Sequence, residues 1–189
     1  MNNPHSDIAD ERILALMQAG GHADKGFRLL MEKYQQRLYW QIRRMVYDHE
    51  DANDVLQNCF IKIFRSIHAF EGKSKLYTWL YRIATNEAIT FINKKKQKQA
   101  ASLDDGEQGL SNRLQADQYF EGDEVQLRLQ EAIARLPEKQ RLVFNLRYFD
   151  EMNYADMSEM LGTSEGALKA SFHHAVKKIE NYVKGVEMF

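Results

Sequence analysis

Apolar residues recur at intervals of three and four along most of the chain, which is the spacing that one buried face of an α-helix requires. A short pattern of this kind ends near Gln18, before the glycines of AGGH. A longer pattern runs from about Ala23 to Tyr47, and its apolar members are Phe27, Leu30, Met31, Tyr34, Leu38, Ile42 and Met45. No segment carries a strand signal, so we predict an all-α fold.

Two further helices are predicted in the first half of the chain. After DHED, apolar residues from Val55 to Ile67 predict a third helix, which FEGKS ends. Ser74 is placed to cap a fourth helix, whose apolar positions run from Leu76 toward Phe91. Long helices with short connections predict a compact bundle.

The helical periodicity fades from NKKKQKQ onward and returns at Val125. The segment between, residues 99–124, is acidic, contains glycine and is weakly apolar, so we predict a flexible linker. Helical spacing resumes from Val125 to Leu136, and Pro137 suits the first turn of the helix that follows. The chain is therefore predicted to form two small helical domains, residues 1–98 and 125–189, joined by the acidic linker.

The stretch NYADMSEMLGTSEGALKAS has the spacing of a helix-turn-helix. Asn153 is predicted to cap the first helix, Gly162 to end it with a positive φ, and Ser164 to cap the second helix. The residues of the second helix predicted to point inward are Leu168, Phe172 and either Val176 or Ala175.

The outer face of this second helix carries candidate DNA contacts. Its residues are Glu165, Lys169 and His173, with Ala170, Ser171, His174 and Lys177 beside them. Lysine neutralises phosphate, histidine and serine donate to phosphate or base edges, and alanine contacts a thymine methyl group. The alternative is a solvated face on an ordinary pair of antiparallel helices.

The net charge of the chain is −1, but its charged residues are distributed unevenly. From His22 to Lys98 there are fifteen Lys/Arg and eight Asp/Glu, residues 99–124 carry one and seven, and residues 125–189 carry nine of each. A basic first module, an acidic connector and a neutral second module indicate two functional units.

The cysteine count and the termini favour a cytoplasmic protein. The single cysteine, Cys59, excludes an intrachain disulfide framework and is predicted to be a small core residue in a reducing compartment. MNNPHSDIADERIL does not have the pattern of a signal peptide. No apolar run approaches the roughly 18–20 residues of a membrane span.

Aromatic and basic residues alternate between Phe70 and Lys98. The aromatic residues are Phe70, Tyr77, Trp79, Tyr81 and Phe91, and the basic ones include Lys73, Lys75, Arg82 and the cluster from Lys94 to Lys98. Aromatic faces stack on unpaired bases while cations follow the backbone, so the run is compatible with single-stranded nucleic acid. Equally, Trp79 and Tyr81 are candidates for the core and the lysines for a solvated helix end.

Asp51, Asp54 and Asn58 fall on adjacent turns of the third helix. The two carboxylates lie near the start of this helix, where they interact favourably with the helix macrodipole. Paired carboxylates also occur in metal and acid–base sites, but no His or Cys lies at ligand spacing. The sequence contains no serine-protease-like triad, no glycine-rich phosphate loop and no zinc pattern. We therefore predict no catalytic residue, metal or cofactor, and no enzymatic activity.

Taken together, these residues resemble the RNA polymerase sigma-70 family, and most closely its extracytoplasmic-function (ECF) members. DANDVLQNCFIKIFRSIHAFEGKSKLYTWLYRIATNEAI is similar to sigma region 2, and RLPEKQRLVFNLRYFDEMNYADMSEMLGTSEGALKASFHHAVKKI is similar to region 4. The resemblance implies a dissociable specificity subunit of core RNA polymerase. Region 2 would open the minus-10 promoter element, region 4 would read the minus-35 element, and the acidic linker would thread near the RNA path.

The resemblance also implies three sets of site residues and a further partner. The residues implied to bind core polymerase are Asp51, Asp54, Gln57 and Phe60. Those implied to bind the minus-10 element are Phe70, Gly72, Lys73, Ser74, Lys75 and Asn86. Those implied to bind the minus-35 element are Lys169, Ala170, Ser171, His173 and His174. Members of the family are commonly held inactive by an anti-sigma factor, which is implied here as well.

Two departures from the family pattern change these expectations. Asn58 stands where a glutamate is usual, which removes one charge from the surface that would face polymerase. Ser171 and His174 stand where arginines are frequent, and arginine supplies bidentate contacts to guanine. This helix is therefore expected to bind more weakly alone or to read a different sequence.

Two other classes of protein remain as alternatives. A free-standing helix-turn-helix regulator with a helical sensing module would need a ligand pocket but no surface for a melted strand. An enzyme that modifies nucleic acid would need a metal or nucleotide motif, which the sequence lacks.

Overall fold

The computed structural model describes residues 9–18, 22–101 and 124–185. Within these ranges the chain forms eight α-helices and one 3-10 turn, with no strand. The prediction of an all-α fold is confirmed. The chain separates into two compact units, residues 1–91 and 92–189.

The first unit begins with three helices and a 3-10 turn. Helix α1 spans Asp10–Gln18, α2 spans Ala23–Val46, α3 spans His49–Ser66, and the 3-10 turn spans Ile67–Ala69. Tyr47 ends α2 with φ 63°, and the Asp48 side chain caps α3 by accepting a hydrogen bond from the Asp51 N–H at 3.0 Å. Since Asp48 is the cap, α3 includes the HED residues that were predicted to precede it.

Helix α4 spans Leu76–Ala101 and crosses the boundary between the two units. Its first backbone bond runs from the Trp79 N–H to the Lys75 carbonyl, so it starts one residue later than a Ser74 cap would place it. It also continues past Phe91, where the predicted apolar pattern stops. Lysine, glutamine and alanine are good helix formers, so the helix propagates there without an apolar face.

The core of the first unit is formed by α1, α2, α3 and the 3-10 turn, together with the buried face of α4. The largest fully buried side chains there are Ile13, Met17, Leu30, Leu38, Ile42, Ile63, Ile67 and Leu80. Cys59 is buried among them, as predicted, and burial raises the pKa of its thiol to about 12. The thiol therefore stays protonated at neutral pH and is a poor nucleophile.

Polar contacts join α1 and α4 to α2 in this unit. The Tyr34 hydroxyl donates to the Asp10 carboxylate at 2.7 Å, and Lys33 pairs with the same carboxylate. Burial and this hydrogen bond raise the pKa of Tyr34. The buried Gln41 amide donates to the Thr85 hydroxyl at 2.5 Å. These bonds tie α1 and α4 to α2.

In the described part of the second unit, α4 is followed by four helices: α5 (Glu124–Ala134), α6 (Glu138–Tyr148), α7 (Tyr154–Leu161) and α8 (Glu165–Val183). Pro137 is the N-cap residue of α6, one position before the first turn predicted for it. Helices α5, α6 and α7 each pack on α8. The core that α5, α6 and α8 share is formed by Ala132, Ile133, Leu136, Phe144, Ala175 and Ile179.

The described helices include none long and apolar enough to cross a membrane. Residues 102–123, which make up most of the predicted acidic linker, lie outside the described residues.

The close packing of α1 on α2 predicts the effect of a one-carbon substitution. A Cβ at Gly26 would lie 2.6 Å from Met17 Cγ and 2.8 Å from the Met17 backbone nitrogen. Because the backbone atom cannot rotate away, we expect Gly26→Ala to lower the free energy of unfolding by about 1–3 kcal/mol. Urea unfolding measures this change. Lys25→Ala, at the exposed neighbouring position, is the control, and equal stability of the two variants would contradict the packing argument.

Candidate nucleic-acid and protein interfaces

The corner between α7 and α8 begins with a reciprocal cap. The Asp156 N–H donates to the Asn153 side-chain oxygen at 2.8 Å, and the Asn153 amide donates to the Asp156 carboxylate at 2.7 Å. Two polar groups at the start of α7 thus satisfy each other, with the Asp156 side chain largely buried. The predicted N-cap is confirmed.

The corner ends with two residues that fix the start of α8. Gly162 has φ 62°, and its N–H donates to the Ser158 carbonyl at 2.9 Å, which closes α7. The Ser164 hydroxyl then accepts from the Ala167 N–H at 3.4 Å. Leu168 is 2% exposed beneath the corner. The two helices, the turn and the caps predicted for this segment are confirmed.

The exposed face of α8 contains the residues predicted to bind minus-35 DNA. Lys169, Ala170, His173 and His174 are exposed, whereas Ser171 is half-buried. Leu168, Ala175 and Ile179 occupy the opposite, buried face. Four of the five predicted residues are therefore accessible to a partner along one helix.

Lys169 lies at the junction of three helices. Its ammonium group is 3.4 Å from the Glu165 carboxylate and 5.4 Å from the centre of the Tyr154 ring. The Arg147 guanidinium lies 5.2 Å from the same ring and donates to the Met152 carbonyl. Two cations therefore share one aromatic ring beside the exposed face of α8. Sequence spacing did not identify Tyr154 or Arg147, because they come close to Lys169 only when the three helices pack together.

Helix α3 presents opposite faces to the core and to solvent. Ala52, Val55, Cys59 and Ile63 are buried, while Asp54, Gln57 and Asn58 are exposed. A groove of about 360 Å³ runs between α2 and α3, lined by Met31, Gln35, Asn53, Asp54, Leu56, Gln57 and Phe60. Three of the four residues predicted to bind polymerase thus line one groove, and the half-buried Asp51 lies one turn earlier.

Exposed apolar side chains continue this surface along α3. Ile61 and Phe64 are 44% and 42% exposed. The Phe64 ring packs edge-on to Phe27 at 5.0 Å, and Phe27 also contacts Phe60, which is only 8% exposed. Phe64 belongs to the apolar pattern from Val55 to Ile67 that predicted this helix. Its exposure shows that the neighbouring helices cover a narrower face of α3 than the pattern suggested.

The loop before α4 contains five of the six residues predicted to bind the minus-10 element. Phe70 is 8% exposed, and its ring lies 5.4 Å from the Trp79 ring. Gly72 has φ 70°, and Lys73 forms an ion pair with Glu71. Lys73 and Lys75 are exposed. The loop therefore carries exposed cations, while Phe70 is buried against Trp79.

On α4 itself, the aromatic residues are divided between core and surface. Tyr81 is buried, and Tyr77 and Trp79 are half-buried. Asn86, the sixth predicted residue, is exposed, and so are Arg82 and Lys94. Tyr81 thus belongs to the core, while the polar and basic side chains remain accessible. Among the described residues, no group of three or more His, Cys, Asp or Glu side chains is arranged to hold a metal ion.

Two family models match the chain over the segments that carry these surfaces. Sigma-70 region 2 matches residues 30–98, and Sigma-70 region 4 matches residues 126–179. The chain therefore belongs to the sigma-70 family of RNA polymerase sigma factors.

Curated relatives place it in the ECF group of that family. The RNA polymerase sigma-H factor of Pseudomonas aeruginosa is 29% identical over 90% of this chain and 92% of its own length. The ECF sigma-E factor of Haemophilus influenzae is 29% identical over 94% and 96%. The ECF factor SigW of Bacillus subtilis is 30% identical over 84% and 89%.

Solved structures share the fold. The sigma factor RpoE of Bartonella quintana, in complex with the anti-sigma factor NepR, aligns with a TM-score of 0.69 at 20% identity, covering 85% of this chain and 98% of its own. CnrH, in complex with the cytosolic domain of CnrY, also aligns with a TM-score of 0.69, at 19% identity over 95% and 100%.

Proposed function

We propose that this chain is a dissociable ECF sigma factor that binds core RNA polymerase, recognises minus-35 and minus-10 promoter elements, melts the DNA and directs transcription initiation in the cytoplasm. The observation that carries the proposal is the match of both sigma regions in one chain, each with accessible residues at the expected positions. Such a factor performs no catalysis, since the polymerase forms the phosphodiester bonds.

The proposed reading of the minus-35 element uses the exposed face of α8 in the major groove. Lys169 would neutralise a phosphate, Ala170 would contact a thymine methyl group, and His173 and His174 would donate to phosphate or base edges. In the free chain Lys169 pairs with the Glu165 carboxylate, which would compete with DNA phosphate for the ammonium group. Without arginine at positions 171 and 174, affinity for duplex DNA alone is expected to be low.

The proposed opening of the minus-10 element uses the loop before α4 and the exposed Asn86. A flipped base costs a few kcal/mol of unstacking, which contacts in a pocket return at ~1–3 kcal/mol per base. Because Phe70 is buried against Trp79, we infer that it forms the floor of such a pocket. Gly72, Lys73, Ser74 and Lys75 would then close around the strand.

The groove between α2 and α3 is the proposed contact with core polymerase. Asp51, Asp54 and Gln57 would supply the polar contacts, and Phe60 would line the groove floor. The exposed Ile61 and Phe64 add apolar area, which a protein partner would remove from water. The solved complexes of RpoE and CnrH support a regulatory partner as well. We infer that an anti-sigma factor inactivates this chain by covering surfaces that face polymerase.

Run-off transcription tests the proposed function as a whole. Purified core polymerase is incubated with a pool of genomic promoter fragments, with and without the chain. We expect new, discrete start sites only when the chain is present, and alignment of their upstream sequences would give the promoter elements. No binding to core polymerase, together with tight binding of a duplex site by the chain alone, would indicate a free-standing regulator instead.

Reversing one charge in the groove tests the polymerase contact. We expect Asp54→Lys to weaken binding to core polymerase by roughly tenfold or more, since a like charge would face the partner's complementary surface. Asp54 is exposed, so thermal stability should stay nearly unchanged. Glu11→Lys, the same reversal on an exposed residue of α1, is the matched control. Equal binding by the two variants would remove Asp54 from the interface.

Removing the Lys169 ammonium tests the minus-35 contact. We expect Lys169→Ala to weaken binding of the holoenzyme to duplex promoter DNA and to reduce the slope of log affinity against log salt by about 1, because one phosphate contact is lost. Lys184→Ala removes an exposed lysine beyond the end of α8 and serves as the control. An unchanged salt slope for Lys169→Ala would show that this lysine does not contact phosphate.

A further inference from the structure

Gly166, the second residue of α8, is a glycine that the free chain does not require. It is exposed, and it has no positive φ. A Cβ built on it meets nothing within 4 Å. Glycine weakens a helix relative to alanine because it loses more backbone freedom on folding. Alanine at this position would therefore suit the fold better than the residue that is present.

The other glycines in the described part of the chain have clear structural reasons. Gly26 lies against Met17, where a Cβ would clash. The glycines with a positive φ, which other residues rarely adopt, are Gly72, Gly162 and Gly185. Gly166 alone among these glycines has neither reason within the free chain.

The position of Gly166 on α8 shows which face of the helix its missing side chain leaves open. Residues 166, 169, 170, 173 and 177 follow the i, i+3, i+4, i+7 and i+11 spacing of one helix face, and all of them are exposed. This face is opposite Leu168 and Ala175. It carries the ammonium groups of Lys169 and Lys177, which favour an anionic partner. Glu165 precedes Gly166 by one residue and so points about 100° away around the helix.

We propose that Gly166 is a point of closest approach between α8 and the sugar–phosphate backbone of minus-35 DNA. The inference rests on the proposed function of α8. Absence of a Cβ lets the DNA backbone come close to the helix backbone, a use of glycine that is common where a main chain approaches a ligand. A methyl group at this position would push the first turns of α8 outward. Lys169 and Ala170, one turn further along, would then lose their reach to the DNA.

The test compares stability with binding, because the proposal predicts opposite signs for the two. Full-length wild-type, Gly166→Ala and Gly166→Leu chains are assembled with core polymerase. We measure the Tm of each free chain, its affinity for core polymerase and the affinity of each holoenzyme for duplex promoter DNA. Gln126→Ala, a neutral change to alanine at an exposed position of α5, is the control for gains in helix propensity.

We expect Gly166→Ala to raise the Tm by roughly 1–5 °C, because alanine is the better helix former. Affinity for core polymerase should not change. Affinity for promoter DNA should fall by roughly tenfold, the equivalent of about one lost polar contact, and further in Gly166→Leu. Gln126→Ala should bind DNA as the wild type does.

The remaining outcomes separate the failures. If the wild-type holoenzyme binds no promoter DNA, the proposed function itself is wrong. If it binds DNA and both Gly166 variants bind equally well, the close approach at Gly166 is wrong while the sigma function stands. A loss of core affinity in the Gly166 variants would show that this glycine faces polymerase, and a lowered Tm for Gly166→Ala would show that the fold itself requires it. Either result overturns the inference.

Discussion

The corner between α7 and α8 determines which residues of the second unit are available to a partner. Gly162 closes α7 and Ser164 opens α8, so the position at which α8 begins is fixed by hydrogen bonds rather than by packing alone. A shift of one residue would rotate the α8 side chains by about 100°. Leu168 would then leave the core and Lys169 would approach it. The register set at this corner is therefore what makes the outer face of α8 polar and the inner face apolar.

In the first unit, a cap fixes the register of α3 in the same way. The Asp48 cap fixes the start of α3, which places Val55, Cys59 and Ile63 inside and Asp54 and Gln57 outside. Here, however, the outer face is not wholly polar, since Ile61 and Phe64 remain exposed beside the groove. A surface of this composition suits a partner that buries apolar area, whereas the face of α8 suits an anion. The two units thus differ in the chemistry of what they can bind.

Local signals in the sequence were sufficient for the helices and for the caps Asn153 and Ser164, because a helix face has a period of 3.6 residues and a cap needs only a side chain three positions from its N–H. Local signals were insufficient where packing of neighbouring helices determines whether a side chain is buried. Phe64 fits an apolar stripe and yet is exposed, while Phe70 sits in a polar loop and yet is buried against Trp79. The sharing of Tyr154 by Arg147 and Lys169 depends on three helices meeting, which spacing along the chain does not reveal.

In the proposed function, low binding affinity of each unit on its own would explain why the two units belong to one chain. A recognition helix with histidine in place of arginine, and with Glu165 beside Lys169, would have modest affinity for DNA on its own. If polymerase held both units at promoter spacing, the second contact would become intramolecular, and its high effective concentration would strengthen overall binding. The same dependence would make the complex sensitive to inhibition. A partner that covered only the groove of the first unit would then weaken the proposed DNA contact of the second unit without touching α8.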